Sequence, residues 1–188
     1  TITDGSFATG EGLTSATFAA TSAITNAGSV ANTITGVTPK DGTQENDYAF
    51  TYKAGTLTIT NATFSVTLTG GSWTYNGGAH SATLTGTKSS DTIEYRTSTN
   101  GGTTWSTWSS TKPSVTHVSD GPMQVQVKVS RANYNDATAS ATLTITKQAI
   151  ELTADSGSWT YDASEHTKPS YTITDGSFAT GEGLTSAT

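Results

Sequence analysis

The pentapeptide GSWTY is written twice, at Gly71–Tyr75 and again at Gly157–Tyr161, 86 residues apart, and no other feature restricts the fold so strongly. The register extends around it: LTIT at 57–60 returns at 143–146, and His80 returns as His166. A second identity is longer. TITDGSFATGEGLTSAT occupies residues 1–17 and, letter for letter, 172–188, an offset of 171 that is twice the shorter period to within a residue. A period of this kind means stacked units that each bury a face against a neighbour, not one large globule. The expected partition is therefore 1–61 as the closing part of a first-type β module whose opening strands lie upstream of Thr1, 62–147 as a complete second-type module, and 148–188 as the opening part of the next first-type module.

Of 188 residues 42 are Thr and 19 are Gly, while only 13% are charged. Thr is β-branched and stiff at χ1, which favours strands over helices. The patterning agrees. MQVQVKVS at 123–130 alternates strictly, with Met123, Val125, Val127 and Val129 on one face, and ATASATLTIT at 137–146 does the same with Ala141, Leu143 and Ile145. In the first segment LTSATFAAT, SVANTITGV and YAFTYKAGTLTIT read as strands, and no window sustains a 3.6-residue period. Asn76-Gly77-Gly78, Asn100-Gly101 and Asp120-Gly121 are turn signals. Roughly seven short strands per module, punctuated about every 8–12 residues, predict an all-β chain of tandem Ig-like β-sandwich modules. The alternative is a β-grasp-like, mostly-β module.

Composition excludes several function classes. A net charge of −6 with nine Lys and Arg supplies no basic face for nucleic acid phosphates or anionic lipid. With no Cys there is no disulfide, thiolate metal site or cysteine nucleophile, and no apolar run reaches the length of about 18 residues that a membrane helix needs.

GSWTYDASEH and GSWTYNGGAH resemble the "TYDG" opening of MBG-type and YDG-type repeats, and NDYAFTYKAGTLTIT and RANYNDATASATLTIT resemble their "NY … GTLTIT" close. Two positions depart from the pattern: Ala163-Ser164 stands where Gly-Thr is usual after Asp162, and a Trp precedes Thr-Tyr. The resemblance covers nearly the whole chain. It implies tandem extracellular repeats of large bacterial surface adhesins, with neighbouring copies of the repeat as partners and no catalytic residues to carry over.

STNGGTTW at 98–105 is similar to the Asp-box hairpin of sialidases, but those enzymes hold a substrate carboxylate with three arginines and this chain has only Arg96 and Arg131, so no enzyme is expected. Trp105 and Trp108, three apart, point to opposite faces of a regular strand, which buries one and leaves the other as a stacking platform for a glycan. They are the candidate ligand residues. Trp73 with Tyr75, and Trp159 with Tyr161, share a face and are expected in the core, each Tyr hydroxyl on a backbone partner. His80 and His166 are one structural choice made twice, and with His117 they converge on no metal site. Asp41, Glu45 and Asp47 form the densest acidic stretch; calcium between modules is the functional reading, and the missing D-x-D-x-D-G spacing favours a solvated turn. No other cofactor is implied. Lys53, Lys128 and Lys147 are candidates for an isopeptide bond to Asn. Finally, 148–188 carries the opening strands that 1–61 lacks, so self-association by strand addition is expected of the chain taken alone.

Overall fold

The computed structural model describes residue 2 and residues 4–184. Residues 1, 3 and 185–188, the outer letters of the 17-residue repeat, lie outside the described residues. Among the described residues the regular structure is strand, with two 3-10 turns, Glu45–Asp47 and Val118–Asp120, so the chain is all-β. Among the described residues no helix is long and apolar enough to cross a membrane. Two compact units are present, Thr1–Thr63 with Ala132–Asn135, and Phe64–Arg131 with Asp136–Thr188. Residues 148–188, expected to open a further module, belong to the second unit.

In the first unit β1 (Leu13–Phe18) pairs antiparallel with β3 (Ile34–Pro39), and β2 (Gly28–Asn32) pairs antiparallel with β4 (Gly55–Ile59). Only Thr33 separates β2 from β3, so one run of chain serves two partners. Ser22 Oγ accepts the Thr33 N–H at 2.8 Å, which diverts that residue from either ladder. The strand expected over 48–60 forms only at β4. Tyr48 and Phe50 turn instead to Phe7, with the Phe7–Tyr48 centroids 4.8 Å apart, and the Tyr48 hydroxyl accepts the Ala8 N–H at 2.9 Å while donating to the Glu11 carboxylate. Ring burial outweighs a few ladder bonds here. The ANYN turn at Ala132–Asn135 completes the unit: Asn133, at φ 65°, accepts the Ala27 N–H on its side chain at 2.8 Å, and Ala62 exchanges 2.9 Å backbone bonds with Asn133 and Asn135.

The second unit is built on a four-stranded sheet in the order β6 (Gly71–Thr74), β10 (Ala137–Thr146), β9 (Met123–Ser130), β8 (Thr92–Ser98). β8, β9 and β10 are antiparallel; β6 joins β10 in parallel, from Leu143↔Gly71 to Thr146↔Thr74. A ribbon of β5 (Thr67–Thr69) and β7 (Thr83–Thr85) supplies Leu68 to the same apolar cluster as the sheet. The strict alternation of 123–130 places Val125, Val127 and Val129 at 0% exposure, in one apolar cluster with Leu143, Val115 and Ile145. Each such side chain contributes about 1.5–3 kcal/mol of transfer free energy, so this strip dominates the module's stability. Beyond it, β11 (Glu151–Ala154) pairs antiparallel with β12 (Tyr171–Asp175), leaving Leu152 and Ile173 exposed.

One ion pair closes the sheet end. Arg131, after β9, reaches both oxygens of Asp91, before β8, at 2.7 and 2.8 Å, and its guanidinium lies 4.1 Å from the Phe64 ring centre. The Asp91 side chain is fully shielded from solvent. The guanidinium holds its carboxyl down to about 2, against the cost of burial.

Candidate functional site

The opening motif is a small cassette formed twice. In the first copy the Trp73 ring folds back over Gly71, where an added Cβ would stand 2.8 Å from the ring; at Gly157 the distance to Trp159 is 2.2 Å. A side chain at either glycine would therefore push the indole off its place. Trp73 stacks on His80 with centroids 4.7 Å apart and planes 14° apart, and Trp159 stacks on His166 at 5.0 Å and 10°. The imidazole is oriented by an Asx turn. Asn76 Oδ1 accepts the Gly78 N–H at 2.9 Å and lies 3.2 Å from His80 Nε2, and Asp162 Oδ1 accepts the Ser164 N–H at 3.0 Å and lies 2.8 Å from His166 Nε2. The histidines thus have a structural partner that residue-by-residue reading missed. The constant seven-residue Trp-to-His spacing was the signal for it.

The copies differ in what covers them. Trp73 and Tyr75 pack against the core, as expected. Trp159 is 49% and Tyr161 92% exposed, which corrects the core assignment for that copy. The cause lies in pairing: Gly71–Thr74 is a strand on β10, whereas residues 157–160 have no ladder partner among the described residues. Tyr75 is corrected too, since its hydroxyl donates to the Glu182 carboxylate and not to backbone. That bond raises its pKa, because the carboxylate opposes phenolate formation.

Trp105 and Trp108 do not sit on opposite faces. Ser106 donates its N–H to Thr97 O at 2.9 Å, and Ser109 exchanges bonds of 2.9 and 2.7 Å with Tyr95. Residues 105–108 carry no strand, so strand alternation does not govern them and both rings turn onto the outer face of the sheet. There the Arg96 guanidinium carbon lies 4.9 Å from the Trp105 ring and 4.6 Å from the Trp108 ring, a three-layer cation–π ladder. Arg96 Nε donates to Gln126 Oε1 at 2.7 Å, while Lys128 sits 4.9 Å from Trp108 and 2.6 Å from Glu94. Both tryptophans are half-buried. Beside them, Trp105, Gln124, Ser140, Ala141 and Thr142 line a shallow cleft of about 170 Å³. The turn before the ladder satisfies itself: buried Ser98 donates to Asn100 Oδ1 at 2.8 Å, which also accepts the Thr104 N–H at 3.0 Å, and Gly101 and Gly102 take the left-handed backbone at φ 69° and 85°.

Asp41, Glu45 and Asp47 are exposed, the last two on the first 3-10 turn. Among the described residues no group of three or more His, Asp and Glu is placed to hold a metal ion. His117 and Thr116 donate backbone N–H groups to Asp120 at 2.7 and 2.8 Å, which lowers the Asp120 pKa and fixes the second 3-10 turn. Of the isopeptide candidates, Lys128 is paired with Glu94, and Lys147 borders a cleft of about 240 Å³ with Tyr75, Gln148 and Glu182. Comparison with protein-family models, curated proteins and solved structures finds no match to this chain.

Proposed function

We propose that this chain is a stretch of a structural repeat array, the stalk or fibre of a bacterial extracellular adhesin or surface filament, in which Ig-like sandwich modules follow one another and no reaction is catalysed. The carrying observation is the Gly-x-Trp…His cassette, formed twice at an 86-residue separation with the same ring stack and the same Asx turn. The side chains with the most chemical reach are engaged in packing: Arg131 with Asp91, Arg96 between two tryptophans, the histidines on Trp73 and Trp159. The resemblance to MBG-type and YDG-type repeats supports the bacterial cell surface as location.

A spacer of this kind carries load one module at a time. Pulling tandem copies should give a sawtooth whose steps each release about 250–300 Å of contour, the extended length of one module of that size. A single cooperative event, or steps of unrelated size, contradicts it.

A second reading rests on one observation, the two half-exposed tryptophans beside a cleft lined by Gln124, Ser140 and Thr142. Rings and polar side chains together suit a sugar. On this reading the module is a glycan- or mucin-binding adhesin domain. A glycan array comparing the parent chain with Trp105→Ala and Trp108→Ala decides it, because a pure spacer has no binding to lose.

A further inference from the structure

The tripeptide Asn-Gly-Gly occurs twice, at 76–78 in the first cassette and at 100–102 in the turn after β8, and the fold treats the two asparagines differently. Before glycine an asparagine amide is open to attack by the next backbone nitrogen, because no Cβ shields that nitrogen. At 100 the side chain is held at both ends. Its Oδ1 accepts from Ser98 Oγ at 2.8 Å and from the Thr104 N–H at 3.0 Å, and its Nδ2 donates to Thr104 Oγ1 at 2.8 Å. The amide plane is fixed and the nitrogen that would have to leave is tied down. At 76 only the oxygen is held. Asn76 Oδ1 accepts the Gly78 N–H at 2.9 Å and lies 3.2 Å from His80 Nε2, while Nδ2 has no partner among the described residues. Asn76 and Gly77 are both exposed, so water reaches them.

The contacts at Oδ1 are suited to the attack. An amide oxygen only accepts, so His80 Nε2 is the ring nitrogen that carries hydrogen. Two donors therefore meet on the atom that becomes negative when Cγ is attacked, which is how a tetrahedral intermediate is stabilised, and the imidazole can also pass a proton. The Asx turn folds the carboxamide over the backbone: a Cβ on Gly78 would stand 3.1 Å from Asn76 Oδ1 and 3.8 Å from its Cγ. The Gly77 nitrogen lies in that same segment and makes no backbone hydrogen bond among the described residues. The second cassette shows that the fold accepts an acid here. Asp162 replaces Asn76 at the 86-residue offset, accepts the Ser164 N–H at 3.0 Å and lies 2.8 Å from His166 Nε2. Gly77 has Ala163 as its counterpart, at φ 59°, so the turn also tolerates a methyl group.

We propose that Asn76 is a self-modification site, at which the cassette converts the encoded amide to the acid that the second copy already carries. The Gly77 nitrogen bonds to Asn76 Cγ and loses its proton to solvent. Nδ2 takes up a proton, the Cγ–Nδ2 bond breaks, and ammonia leaves behind a cyclic imide. Water then adds to Cγ, the bond from Cγ to the Gly77 nitrogen breaks, and that nitrogen regains a proton. A carboxylate remains at 76, its proton passing to the ammonia. Each event consumes a water and releases an ammonia, with no oxidant or cofactor. Gly78 N–H and His80 hold the oxyanion of the first step, and afterwards the carboxylate faces His80 as Asp162 faces His166. Each chain reacts once at this site, so the inference is independent of the stalk reading.

The full chain, folded, is incubated in mildly alkaline buffer made with water carrying a heavy oxygen isotope, then digested and read by mass spectrometry. The peptide holding Asn76 should show amide-to-acid exchange with uptake of heavy oxygen, and part of it should co-elute with the peptide from an Asn76→Asp chain. Its rate should exceed that of the Asn100 peptide about tenfold or more, a modest share of what a positioned acid supplies, since the site is exposed. In concentrated urea the two Asn-Gly-Gly sites should react at similar rates. His80→Phe keeps a ring for Trp73 but removes the donor, and should slow conversion at 76 severalfold. Gly77→Ala should nearly abolish it. An unchanged Asn100 rate in both variants reports that the module is still folded. Equal rates at the two sites in the folded chain overturn the proposal. So does an Asn76 peptide without heavy oxygen, or a folded His80→Phe chain that converts as fast as the parent.

Discussion

Gly71 and Gly157 show how much a missing methyl group decides at the scale of one residue. Alanine at 71 brings a Cβ to 2.8 Å from an indole that is packed on the core, so Trp73 must leave His80 or the strand must shift. Gly71→Ala should therefore destabilise the second unit by ~1–3 kcal/mol, the usual cost of overpacking, measured by urea unfolding followed through tryptophan emission. Gly157→Ala meets a closer clash but a ring that is half in water; its effect should be confined to the near-ultraviolet signal of the Trp159–His166 stack, with the urea midpoint unchanged. The Asp91–Arg131 pair acts on pH dependence. Its folded carboxyl sits at about 2, below the ordinary carboxylate value of roughly 3.9, so its contribution is fully present above pH ~4 and is lost as pH falls through 2. An acid titration of Asp91→Asn should lack the slope that the parent chain shows across that window; parallel slopes contradict the assignment.

At the scale of elements, the strands that were legible are those whose period and burial agree. β9 and β10 read directly from MQVQVKVS and ATASATLTIT because one face is fully apolar and a one-residue slip exposes all of it. Leu143, fully buried at the centre of that face, sets the scale: Leu143→Ala should cost ~2–5 kcal/mol in the same urea assay. What was not legible depends on contacts distant in sequence. YAFTY carries strand propensity but leaves the ladder because Phe7, some 40 residues earlier, offers Tyr48 and Phe50 a ring cluster. Trp105 and Trp108 were placed on opposite faces by strand alternation, which fails once two residues between Ser106 and Ser109 escape pairing. Their common partner, Arg96, lies on β8, so the ladder belongs to the tertiary structure and not to the WSTW string. Arg96→Ala should loosen both rings and cost ~0.5–2 kcal/mol, with increased acrylamide quenching of tryptophan emission as the local readout. Unchanged quenching would remove the ladder from the account.

At the scale of the molecule, the repeat in the sequence becomes a statement about reach. Within the second unit, Tyr75 from the opening of the complete module donates to Glu182, which lies beyond Lys147-Gln148, and no Gly/Ser or Pro linker intervenes. On the proposed array reading such a clasp would limit bending where one module meets the next, so Tyr75→Phe should broaden the small-angle scattering distance distribution of the chain without altering its circular dichroism. β10, at 10 residues, spans about 34 Å, so on the proposed stalk reading modules laid end to end should advance ~35–45 Å each. The most direct test of the array is the axial spacing of fibres built from many copies, measured by electron microscopy with a label placed once per 171-residue period. The account predicts labels ~70–90 Å apart, two module lengths, at regular intervals. A spacing much shorter than one module length per module, or labels with no regular interval, would contradict it.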